Sequence, residues 1–181
     1  MERQVRHPIL CAFLIAAVLA TAPQGAASGE LQACFVPGED CTALIVRQLD
    51  YAKSEILVQA YGLTSSPIIQ ALGRAKERGV DVRAILDRIN EQKRYTAATY
   101  LKNHDIDVLI DDAVVIAHNK VIVIDHRHVI TGSFNFTRAA HAKNAENVLL
   151  ITDDPVIAKS YAANWERRAT LARPYRDFRS Q

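Results

Sequence analysis

Apolar and polar positions follow two periods along most of the chain. Residues 41–53 carry the helical period, and so does the segment opened by Ser66-Pro67, where Ile68, Ile69, Leu72 and Ala75 share one face before Gly79 supplies a stop. Residues 56–61, 80–86 and 106–110 read as strands, with a further helix expected around 91–103. This β-α-β alternation predicts an α/β fold, a mixed and largely parallel β-sheet flanked by helices. From Ala113 the pattern turns β-rich. Residues 114–117, 121–124 and 129–131 are separated by very short connections, and their apolar runs read as buried central strands. Residues 148–151 predict one more strand. Asp153 or Asp154 then caps a last helix, with Pro155 in its first turn and Ile157, Tyr161 and Trp165 recurring as a core stripe or a subunit contact. No low-complexity linker interrupts the series, so a single domain is expected.

The first residues alter this picture. Arg3 and Arg6 precede an apolar run over 9–19 and a small-residue stretch over 20–28, the pattern of a secretory signal peptide. A bilayer span needs roughly 20 apolar residues, so no permanent membrane anchor is expected. Cleavage after Ala22 would place the rigid ring of Pro23 at the scissile bond, which favours the stretch near Ala27. The expected division is a signal peptide over 1–27 and a domain over 28–181, exported to the periplasm or secreted.

Composition narrows the classes further. The 181 residues hold 22 Lys plus Arg against 20 Asp plus Glu, and 49% are apolar, which excludes a disordered, collagenous or disulfide-dense chain. Without residues 1–27 the balance is 20 against 19, so any contact with a polyanion must be local. Of the three cysteines, Cys11 departs with the signal segment. Cys34 and Cys41 are left in an oxidising compartment, where a short-loop disulfide is expected over two buried thiols. Metal binding by this pair would need two further soft ligands.

The chemistry concentrates between His118 and Asn135. Residues two apart on an extended strand face the same side, so His118 and Lys120 are expected to meet one ligand while Asn119 points away. Residues 129–131 are expected to return as a hairpin partner, bringing Gly132, Ser133 and Asn135 to the same end. Gly132 permits close backbone approach, and Ser133 and Asn135 add neutral donors. An imidazole, an ammonium, a hydroxyl and an amide at one point suit a phosphate group and require no metal or other cofactor. A neutral histidine attacks phosphorus, and an imidazolium protonates a leaving alkoxide.

Together these residues resemble the HxKxxxxDxxxxxxGSxN signature of the phospholipase D superfamily, as His118, Lys120, Asp125, Gly132, Ser133 and Asn135 with every spacing kept. Six specified positions at roughly one in 20 each give a chance match on the order of a few per million chains of this length. The stretch continuing through Phe136-Thr137, Ala139-Ala140 and Lys143 to Asn147 is similar to the small secreted EDTA-resistant endonucleases of that superfamily. The resemblance implies an α/β sandwich, His118 as the nucleophile that forms a phosphohistidine, and Lys120, Ser133 and Asn135 as holders of phosphate oxygens. It implies Glu146 as the carboxylate that fixes the histidine tautomer. Asp125 is expected to anchor the hairpin. Larger members carry the motif twice, whereas this chain has it once, so the resemblance implies a homodimer with paired His118 residues. A monomer using another acid would turn to His141.

The remaining histidines have simpler accounts. His126 and His128 are two apart, as metal ligands on one strand face can be, but a polar hairpin tip explains them. His104 falls in a helix-to-strand turn. For substrate, nucleic acid, DNA or RNA, comes first, with Lys93, Arg94, Lys102, Arg138 and Lys143 as local phosphate contacts. Phospholipid is the alternative and would call for an apolar interfacial patch. A non-catalytic exported polyanion-binding module is the third reading.

Overall fold

The computed structural model describes residues 29–91 and 96–176, so the segment expected to be a signal peptide and the cations Lys93 and Arg94 lie outside the described residues. Chain order is β1 (Glu30–Val36), α1 (Cys41–Tyr51), β2 (Glu55–Ala60), α2 (Ser66–Glu77), β3 (Asp81–Asp87), a 3-10 turn (Arg88–Glu91), α3 (Ala97–Asn103), β4 (Asp107–Asp111), β5 (Lys120–Ile124), β6 (His128–Gly132), α4 (Arg138–Lys143), β7 (Glu146–Thr152), α5 (Pro155–Ala169) and β8 (Arg173–Pro174). Helix starts follow local capping chemistry. Asp40, Thr96, Thr137 and Asp154 each accept a backbone N–H of the first turn of α1, α3, α4 and α5. Gly79, at φ +88°, lets the chain leave α2 for β3.

All eight strands join one sheet in the order β1-β7-β6-β5-β2-β3-β4-β8. The expected α/β architecture with helices on a mixed sheet is what forms, but the sheet is not largely parallel. Only β2 with β3 and β3 with β4 pair in parallel, and the five other pairings are antiparallel. The three-residue link between β5 and β6 forces reversal there, since parallel strands need a long crossover.

Alternation along the strands sorts side chains onto two cores. Ile56, Val58, Ala60, Ile122 and Ile124 pack with α1, α2 and α3, while Leu57, Ile85, Val121, Val123 and Val129 face α5. Every residue of β5 is buried, the double coverage that an uninterrupted apolar strand implies. On α5 the buried stripe is Ala158, Ala162 and Trp165, with Tyr161 packed at its margin; Ile157 is 37% exposed. Trp165 donates its indole N–H to the Val58 carbonyl at 2.8 Å.

Residues 114–117 form no strand, contrary to expectation. Both edges of β4 and β5 are already taken, by β3 and β8 and by β2 and β6, so neither strand that this segment connects has an edge left to pair with it. It crosses the surface as a loop with Val115 78% exposed. Cys34 and Cys41 form the expected disulfide, tying β1 to the start of α1. No helix among the described residues is long and apolar enough to cross a membrane.

Candidate active site

The ends of β2, β3, β5 and β6 converge on one patch. Strand β5 begins only at Lys120, so His118 sits just ahead of the ladder. Its loop is nevertheless held on both sides. The Tyr61 amide donates to the Asn119 carbonyl at 2.8 Å, and the Ala117 amide donates to Asp87 Oδ2 at 2.7 Å. Asp87 is itself buried at the end of β3. His118 is exposed, and its imidazole meets the Tyr61 ring edge-on with centroids 4.7 Å apart.

Lys120 is 8% exposed and folds back on the histidine. Its ammonium donates to His118 Nε2 at 3.1 Å and to the His118 carbonyl at 3.2 Å. With lysine as the donor, Nε2 accepts, which assigns the ring proton to Nδ1 and leaves Nε2 its lone pair. Burial pushes the Lys120 pKa below that of an ordinary lysine, and the charge of Glu146 partly opposes this. The shared position of imidazole and ammonium is therefore as expected, although a loop and not a strand delivers the histidine.

Beyond β6 the sequence Gly132-Ser133-Phe134-Asn135-Phe136-Thr137 works by alternation. Phe134 and Phe136 are fully buried anchors, which leaves Ser133, Asn135 and Thr137 directed away from the core. Gly132 has φ +142°, and a Cβ there would overlap the Asn147 carbonyl, so this approach to β7 needs glycine. That same carbonyl accepts the Ser133 amide at 3.1 Å and the Phe134 amide at 3.2 Å. Asn135 Oδ1 is buried with no hydrogen-bond partner.

Ser133 and Glu146 form a second pair. The Ser133 hydroxyl donates to Glu146 Oε2 at 2.6 Å, and Asn144 Nδ2 donates to Oε1 at 2.8 Å. Both carboxylate oxygens of Glu146 are thus engaged within the chain, with no hydrogen bond to His118. Asp125 lies at the opposite end of β5 and takes no part in this cluster. Its carboxylate accepts the amides of Lys53, Ser54 and Glu55 and the Ser54 hydroxyl, at 2.7–3.2 Å. Burial raises its pKa, and these bonds outweigh the burial and hold it below the usual carboxylate range.

The other expected candidates lie apart from the cluster. His141 Nδ1 stands 3.8 Å from Asp40 Oδ1 at the start of α1. His126 pairs with Glu55 at 2.9 Å, and His128 Nδ1 accepts the Asp153 amide at 3.1 Å. Arg138 and Lys143 are exposed on α4, and Lys102 is exposed on α3. Two contributors were not anticipated, Tyr61 and Asp87. Asp87 ends β3 and Tyr61 follows β2; each meets the histidine loop only after folding, and nothing in its local sequence marks it.

Comparison with known proteins assigns the family. The sequence model described as "Cardiolipin synthase, PLD-like domain" matches residues 45–169. The chain belongs to the phospholipase D superfamily. A protein named phospholipase D from Rickettsia prowazekii is 49% identical over 139 residues, covering 77% of this chain and 67% of that protein. Nuc from Salmonella typhimurium, a solved phospholipase D family member, superposes with a TM-score of 0.78 at 38% identity, covering 81% of this chain and 98% of that one. NucT from Helicobacter pylori shares the fold at a TM-score of 0.72 and 21% identity, covering 81% of this chain and all of the other. The chain is accordingly a phosphodiesterase of the phospholipase D superfamily.

Proposed function

We propose that the chain is an exported, metal-independent endonuclease that hydrolyses nucleic-acid phosphodiesters through a phosphohistidine on His118, at a site completed across a homodimer. The observation that carries this reading is the 3.1 Å contact between His118 Nε2 and the Lys120 ammonium. An unprotonated nitrogen and a buried cation face one point, and a phosphate oxygen arriving there exchanges the lysine–histidine bond for a lysine–phosphate one. Nε2 attacks phosphorus, the leaving alkoxide takes a proton from the second histidine, and water then cleaves the phosphohistidine with the same group as base. Lys120 and Asn135 meet the charge that develops on the phosphoryl oxygens. Ser133 joins them once its hydroxyl turns from Glu146, and Glu146 is the carboxylate available to orient a histidine. One chain provides one such histidine, so a two-fold pair with apposed His118 residues supplies the acid. The exposed cations Arg138 and Lys143, on the helix following the motif, extend the site along a polyanionic strand. The Cys34–Cys41 disulfide supports export.

Hydrolysis of phospholipid head groups is the second reading, and one feature favours it. Val114, Val115 and Ile116, immediately ahead of the histidine loop, are 40%, 78% and 55% exposed, an apolar patch of the kind that enters a bilayer surface. A polyanion-binding module without turnover is disfavoured by the intact His118–Lys120 pair. The deciding experiment incubates the exported form and its His118→Ala variant with supercoiled plasmid and with phosphatidylcholine vesicles, in excess EDTA. Plasmid nicking without choline release, abolished in the variant, is expected. Choline release with intact plasmid would replace the nuclease reading with the lipid one.

A further inference from the structure

Beside the phosphate-binding residues opens a cavity of about 660 Å3, between the end of β2, the first turns of α2 and the start of α3. Tyr61 and Asn135, which border the reacting centre, form part of its wall. Ile69, Ile89 and Ala97 add apolar surface, Tyr100 adds a second aromatic ring, and Gln70 and Thr137 add polar groups. Transfer of a phosphoryl group to His118 needs none of this space. The volume falls within the ~300–1,000 Å3 typical of pockets that enclose a small molecule, so it suits one flat substituent of the phosphodiester and not a duplex.

We infer that this cavity receives a single unpaired nucleobase adjoining the scissile phosphate, and that the enzyme therefore prefers single-stranded nucleic acid. The inference rests on the nuclease reading above and adds the form of the substrate. A base stacked inside a duplex cannot enter a pocket, whereas a single strand presents its bases at little cost. Aromatic side chains accept any base face, which gives strand preference without sequence preference. Tyr61 is shared by both places. Tyr61 lines the cavity and its ring meets the His118 imidazole edge-on, so a base held against this residue also steadies the nucleophile.

The test compares an ordinary single-stranded oligodeoxynucleotide with one of equal length built from tetrahydrofuran abasic residues, which keeps every phosphate and removes every base. The exported wild-type protein and a Gln70→Trp variant are assayed on both. Gln70 is exposed on α2, so the tryptophan plugs the cavity without disturbing the core. The wild-type protein is expected to cut the base-bearing strand at least tenfold faster than the abasic one. Gln70→Trp is expected to bring the base-bearing rate down to the abasic rate while leaving the latter within twofold. Equal wild-type rates on the two strands, or equal slowing of both by Gln70→Trp, would overturn the cavity assignment and leave the nuclease reading intact. Cleavage of neither strand by a protein that releases choline from phosphatidylcholine vesicles would overturn both.

Discussion

The two ends of β5 are built on opposite terms. At Asp125 a carboxylate collects three backbone amides and a hydroxyl, and its charge is matched donor by donor. At Lys120 an ammonium is buried without an ion pair among the described residues, Asn135 Oδ1 close to the site has no partner, and His118 stands in the open. A satisfied polar group adds to the stability of the fold. A buried charge left without its counterion subtracts from it, and is retained where a ligand will supply the missing partner. Across one five-residue strand, the Asp125 end serves the fold, and the Lys120 end is the one that the proposed function assigns to a phosphate.

The contrast breaks most sharply at His118. His118→Ala should lower kcat/KM for plasmid hydrolysis by at least ~10⁴-fold, since the proposed phosphohistidine cannot form without it. The side chain is exposed, so thermal unfolding of the variant should superpose on that of the wild type. Lys120→Met comes next. Loss of a charge-stabilising donor should reduce kcat by ~10²–10³, while removal of a buried charge should raise Tm. The pKa of Lys120 is lowered on folding, so its cost to stability is present below its folded pKa and is relieved as pH rises through the ordinary lysine value. The Tm advantage of Lys120→Met should therefore narrow toward about pH 10.

At the other end the order of effects reverses. Asp125→Ala leaves the Lys53, Ser54 and Glu55 amides without their acceptor and should cost about 1–3 kcal/mol in denaturant unfolding, with kcat of the folded fraction unchanged within about threefold. The smallest effect is a pH dependence. A carboxyl whose pKa is lowered on folding contributes stability that is fully present above its unfolded pKa, about 3.9, and is lost as pH falls through the lower folded value. Acid unfolding of Asp125→Asn should lack that component, and an unaltered slope below pH 4 would show that the carboxylate's bonds add no stability.

The sequence exposed these regions unequally. Central strands and long helices were legible because double coverage makes β5 apolar from Val121 to Ile124 and because α1, α2 and α5 each bury a stripe. Edge strands β1 and β8 and the six-residue α4 escaped, since β1 buries only Cys34 and Val36 and α4 only Ala140. Residues 114–117 misled because an apolar run usually signals burial, and here three of its side chains face outward beside the site. Motif spacing singled out His118, Lys120, Asn135 and Asp125 as candidates, and the structure puts His118 and Lys120 in contact and shows Asp125 as an anchor. The spacing was blind to Tyr61 and Asp87, which reach the histidine loop across strand neighbours that only the folded sheet creates.

Gly132 carries a consequence for how the family diverges. Any side chain there would strike the Asn147 carbonyl, whereas loss of the exposed His118 should leave the fold untouched. Selection on abundance therefore preserves Gly132 and Asp125 even after selection on turnover has ended. Descendants that keep these two positions and have lost His118 would be intact scaffolds without chemistry, and the order in which the six signature letters decay would date the loss of the reaction.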